Sequence, residues 1–191
     1  MPDFDPSTYG PTIEGLLRHA RLNPLDAGRT DASVQPLLWA LSDETFKPKN
    51  VRDPRMAAAC HAGLWLRFNY LDEAHRISQE IDTPEGSFWH GLVHRREGDF
   101  DNAKYWFRRV GAHPVYGPLC KAAGELAATS SEARPTTLAW RTAWDPIAFV
   151  DLCAAEVDGQ TRQGTLCQEV QRREWELLFD YCWRQAVTVD N

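Results

Sequence analysis

Two histidines, His90 and His94, stand four residues apart, a spacing that puts both side chains on one face of a helix. Two imidazoles so placed can grip one divalent metal ion, as in the His-Glu-x-x-His zinc motif. The residues between them are Gly91, Leu92 and Val93, so the general-base glutamate of that motif is missing. Glu97 follows on the same face, but a rise of ~1.5 Å per residue sets it roughly 10 Å from His90 along the axis. That makes it a poor third ligand. His61 is better placed, because an internal repeat sets it on a neighbouring helix at the position matching His90. A His61–His90–His94 set with an open coordination position would suit Zn²⁺ or Fe²⁺. The competing reading is structural, with buried neutral imidazoles hydrogen-bonded to a carboxylate or a backbone carbonyl. His19, His75 and His113 have no companion at ligand spacing, and His113, just before Pro114, suits a helix dipole.

Other chemistry is thinner. Cys60 precedes His61, but sequence neighbours do not face each other on a helix, so the pair makes a poor nucleophile and base. The five cysteines, Cys60, Cys120, Cys153, Cys167 and Cys182, include no CxxC spacing. Small buried hydrophobes in a reducing compartment are the expectation. Arg108-Arg109 and Arg172-Arg173 could hold phosphate, yet on amphipathic helices such pairs usually form solvated faces. There is no GxGxxG, no GxxxxGK[ST] and no GxSxG.

Helices must position these residues. Pro11 opens one, with Ile13, Leu16, Leu17 and Ala20 on a single stripe. Pro36 opens a short second one. The segment Phe46 to Arg55 reads as a solvated linker. Residues 55–113 read as four helices, and Pro118 starts another to about Ala128. A loop follows from Ser130 to Thr137. Asp145 with Pro146 opens a further helix that Gly159 stops. The last runs from about Arg162 to Ala186. Residues 1–10 read as a flexible arm, and no run alternates strongly enough for a strand.

One repeat organises the middle. Asn69-Tyr-Leu-Asp-Glu-Ala74 matches Gly98-Asp-Phe-Asp-Asn-Ala103, and the alanines lie 29 residues apart. The same shift puts His61 on His90 and Trp65 on His94. Each unit is a helix, a polar turn and a second helix ending near proline, at Pro84 and Pro114. These residues resemble the tetratricopeptide family, with a Sel1-like flavour in Ala103-Lys-Tyr-Trp-Phe107. The family pattern is W-x2-L-G-x2-Y, then A-x3-F, then P, over about 34 residues. Here the period is shorter, the leading tryptophan is missing and histidine replaces leucine twice. The fold class implied is all-α, a short right-handed stack of antiparallel helix hairpins (TPR-like). Residues 55–114 form the hairpins, and the flanking helices, including 115–191, cap them in a single 1–191 domain.

The resemblance further implies that the first helix of each unit lines a concave groove. Ala59, Gly63, Leu66 and Arg67 would face it from one unit, and Phe88, Leu92, Arg95 and Arg96 from the next, with Trp89 at the edge. Three arginines beside apolar surface suit an acidic peptide or a C-terminal carboxylate. The plainer alternative pairs them with Glu73, Glu97 and Asp99 on a solvated face.

Composition bounds these readings. The chain has 191 residues, 43% hydrophobic and 25% charged, with eight tryptophans. A net charge of −6 supplies no global field for nucleic acid. No apolar stretch approaches the ~18 residues of a membrane span, and the acidic start is not a secretory signal. A cytoplasmic protein is the expectation. The first functional reading is a non-enzymatic scaffold binding a protein or peptide through Arg67, Phe88, Trp89, Leu92, Arg95 and Arg96, with no cofactor. The second is a metal-binding protein or metal-dependent enzyme using His61, His90 and His94. A third is a homo-oligomer whose aromatic faces, including Trp175 and Trp183, bury each other.

Overall fold

A computed structural model describes residues 4–18, 20–41, 51–132 and 142–187. Most of the expected linker, part of the 130–137 loop, Trp140 and His19 lie outside these. Within them the chain is all-helical, with one isolated bridge between Val51 and Val187 and no longer strand. The helices are α1 (Pro11–Arg18), α2 (Gln35–Ala40), α3 (Pro54–Arg67), α4 (Leu71–Ser78), α5 (Pro84–Glu97), α6 (Phe100–Val110), α7 (Tyr116–Thr129), α8 (Pro146–Val157) and α9 (Gly164–Ala186). None is long and apolar enough to cross a membrane.

Local chemistry sets the boundaries. Asp53, Thr83, Asp99 and Asp145 each cap a helix, accepting from the backbone N–H of Arg55, Gly86, Asn102 and Ala148. Pro54, Pro84 and Pro146 follow three of these caps, where a missing N–H costs nothing. Pro84 therefore opens α5 rather than closing the preceding helix. Gly98 ends α5 with φ 81°, a left-handed turn that favours glycine.

α3 pairs with α4 and α5 with α6, and the two hairpins meet through α4 and α5 and through α3 and α5. α9 packs along α3 and against α7, and α8 lies on α6. α5 is central: every residue from Glu85 to Arg96 is buried, so it shows no single apolar face. Of the expected arm, the described residues 4–10 are instead built in. Asp5 caps a short 3₁₀ helix, Pro6–Tyr9. Tyr9 is buried, and its hydroxyl donates to Asp180 at 3.0 Å. Phe4, Tyr9, Trp175, Phe179 and Trp183 form one aromatic cluster. Both Trp175 and Trp183 are thus buried within the chain, leaving no face of theirs for self-association.

Candidate metal centre

α5 delivers His90 and His94 to its seam with α4 and α6. Their rings stack at 4.7 Å between centroids. Trp106 of α6 covers the other side of His90, nearly parallel at 4.1 Å. The third histidine is His75 of α4, with its ring 4.5 Å from His90 and 4.9 Å from His94. One potential ligand atom from each of the three lies within 4.8 Å of the others. A tetrahedral ion held at about 2.0–2.1 Å needs nitrogens roughly 3.4 Å apart, so the three rings would have to draw closer to share one.

His61, the expected third ligand, is elsewhere. Its Nε2 accepts from the Trp65 indole at 2.9 Å and lies 3.2 Å from the Leu38 carbonyl. The reason is packing: α5 meets α4 on its histidine side, whereas His61 turns toward α2. His75 has no histidine at its repeat-matched position, Lys104, so comparison of the two units passes over it. A signal was nevertheless present, because His75 lies four residues after Leu71 and three before Ser78, on the buried stripe of α4.

Glu97 joins the cluster without having to reach His90. Its carboxylate lies 3.1 Å from His94 Nδ1 and 3.8 Å from His75 Nδ1. A carboxylate on one ring nitrogen fixes the tautomer and leaves the other as an acceptor. His94 Nε2 meanwhile lies 3.1 Å from the Asn102 amide nitrogen. His90 Nδ1 is buried and has no hydrogen-bond partner. Burial, helped by the nearby His75 and His94, pushes the His90 pKa down to about 3. Burial also lowers His94, against the pull of Glu97. The buried imidazoles are therefore neutral at physiological pH, the state in which nitrogen ligates metal. His75 and Glu97 are partly exposed, at 34% and 28% of their side chains, which gives the site a solvent side.

The expected groove residues are all inside. Phe88, Trp89, Leu92 and Arg95 are at most 2% exposed, Arg96 3% and Arg67 8%. α9 supplies the covering. Trp175 donates its indole N–H to the Gly63 carbonyl at 2.7 Å. Arg95 pairs with Glu174 at 2.6 Å, both essentially fully buried. Its guanidinium also sits over Phe149 at 4.7 Å. Burial alone would lower the Arg95 pKa, but the adjacent Glu174 carboxylate outweighs it and the net shift is upward. The pairing with Glu73, Glu97 or Asp99 expected of a solvated face is replaced by contacts more distant in sequence.

The remaining candidates resolve similarly. Burial raises the Cys60 thiol well above its ordinary pKa, which leaves it protonated and a weak nucleophile. None of the five cysteines forms a disulfide. Arg172 and Arg173 are engaged by Glu169 and Glu176. His113 is buried against Glu85 at 3.5 Å and accepts from the Val115 N–H.

Comparison with known proteins finds no matching family model, no matching curated protein and no matching solved structure.

Proposed function

We propose that this protein binds a zinc-class divalent metal through His75, His90 and His94, with Glu97 as the carboxylate that orients His94. The observation that carries this reading is the convergence of three imidazoles from two helices, one of them holding a buried nitrogen without a partner. An unsatisfied buried polar atom costs about 1–3 kcal/mol, and a metal would supply its missing partner. Three nitrogen ligands with one solvent-facing position match zinc sites that keep a place for water or substrate. His75 provides the entry path.

The scaffold reading rests on the same hairpins, taken as a tetratricopeptide-like stack. Under it, α9 occupies the face where a peptide would lie, so a partner would have to displace Trp175 and break Arg95–Glu174. The histidine site needs the rings to close up and the Asn102 contact to give way, but no helix to be displaced, and so is the better supported of the two.

Isothermal titration of metal-free protein with zinc tests the proposal. One saturable site is expected, abolished in His75→Ala and His90→Ala and retained in His61→Ala. Unchanged binding in the first two variants, or no saturable site in the parent protein, would overturn it.

A further inference from the structure

A second polar system lies on the other side of the hairpins, where residues 20–33 wrap the ends of α3 and α5. Arg67 and Arg96 are buried there, yet neither has a carboxylate within ion-pair distance among the described residues. Arg67 donates to the Arg21 carbonyl at 2.5 Å, to the Ala20 carbonyl at 3.3 Å and to Asn23 Oδ1. Arg96 donates to the Asp26 and Ala27 carbonyls and to Asn69 Oδ1. The Asn23 amide bridges the two, donating to Asn69 Oδ1 at 2.8 Å. Every one of these acceptors is neutral.

Burial pushes the pKa of each guanidinium down to about 10. For Arg96 the neighbouring Arg95 and Arg67 act in the same direction, against Asp26. Both remain protonated at neutral pH, so positive charge is concentrated under this surface. Asn69 holds a left-handed backbone, φ 64°, the only non-glycine residue to do so among those described. Its side-chain amide donates to the Arg29 carbonyl and so fixes the wrapping segment in place.

Above Arg67 the same segment leaves a cleft of about 360 Å³, lined by Arg21, Asn23, Arg29, Asp31, Arg67 and Asn69. Three cations face one anion across it. The anion, Asp31, is turned into its own loop, where its carboxylate accepts from the Ser33 N–H and hydroxyl. Two of the cations, Arg21 and Arg29, are exposed and pair with no acid among the described residues. A buried guanidinium whose hydrogen-bond acceptors are all neutral and whose one acidic influence is the more distant Glu176, flanked by two exposed ones, is a donor set that phosphate oxygens take.

We propose that this cleft is a binding site for a small phosphate oxyanion, free phosphate or a phosphate monoester. Its volume lies at the lower end of small-molecule sites, so it accommodates a phosphate with a small organic group. Arg67 is the fixed donor at the floor, and Arg21 and Arg29 close over the oxygens. The site is separate from the histidine centre and does not depend on it.

Titration calorimetry at low ionic strength, with chelator present and inorganic phosphate or glycerol 3-phosphate as probe, tests this. Saturable binding is expected, weakened about tenfold or more by Arg29→Ala and by Arg67→Lys, since each loses a charge-assisted contact or the planar fork. Arg55→Ala, which removes an exposed arginine outside the cleft, should bind both probes as the parent does. Tighter binding of the ester would assign the rest of the cleft to its organic group, and equal affinity would assign the free ion. Arg29 is exposed, so its variant keeps the fold even if Arg67→Lys does not. Absence of saturation by about 10 mM of either probe, or undiminished binding in Arg29→Ala, would overturn the proposal.

Discussion

α5 carries two buried polar systems of opposite design. On its α4 side, His90 and His94 are neutral, stacked among aromatic rings, and one nitrogen lacks a partner. On its α9 side, Arg95 and Arg96 are charged. Arg95 has a buried carboxylate and Arg96 a shell of carbonyls. The difference lies in what burial costs each group. An imidazole can be buried by giving up its proton, whereas a guanidinium cannot and must find oxygen atoms. Both sides keep buried nitrogens without a partner, His90 Nδ1 on one and Arg95 Nε and Nη1 on the other, but only a neutral imidazole nitrogen has a lone pair to offer a metal.

The comparison breaks most sharply at Arg95. Arg95→Met strands Glu174 in the core and should cost about 3–5 kcal/mol, read from the midpoint of urea unfolding. Replacing both, Arg95→Met with Glu174→Leu, should restore most of that loss, because the pair leaves together. Arg95→Met at parental stability would mean that the pair contributes little.

The histidine side should respond in the opposite sense. His90→Leu in metal-free protein is expected to be neutral or stabilising by up to about 1 kcal/mol, since it removes a buried polar group without a partner. The same variant should flatten the acid limb. The His90 pKa is depressed in the folded state, so the unfolded chain binds more protons between its ordinary pKa of about 6.5 and about 3. Parental stability should fall as pH drops through that window and fall less in His90→Leu, as thermal melts at successive pH values would show. Lys104→Ala sets the lower bound. Its ion pair with Asp151 joins α6 to α8 at 2.7 Å, but Asp151 is 59% exposed. A loss below about 1 kcal/mol is expected in the same unfolding assay.

Sequence reading was strongest where the cause is local. Asp145 with Pro146 marks the start of α8, Gly159 lies just beyond its end, and the four central helices fall at 54–67, 71–78, 84–97 and 100–110. His90 and His94 share a face because helical spacing dictates it. Failures came where a distant element decides. Arg67, Arg95 and Arg96 read as groove or solvated residues because nothing local announces Glu174, 79 residues beyond Arg95, or the carbonyls of residues 20–27. His75 has no ligand-spaced partner within its helix or along the repeat, and only the packing of α4 on α5 brings it in as the third ring. The axial distance from His90 counts against Glu97 as a ligand for that ring, but His94 and His75 lie within its reach.

The seating of α9 on the hairpins also sets an order of events during synthesis. Glu174 follows Arg95 by 79 residues. At about 5–20 residues per second, Arg95 therefore waits roughly 4–16 s for its carboxylate, and Trp89 waits as long for its cover. The Tyr9 hydroxyl waits longer still, because Asp180 lies 171 residues downstream. The two hairpins meet the ribosome exit with their future interior facing water, and the first residues of the fold are among the last to be seated. Docking of α9 is thus the step that takes the buried faces of the hairpins out of water.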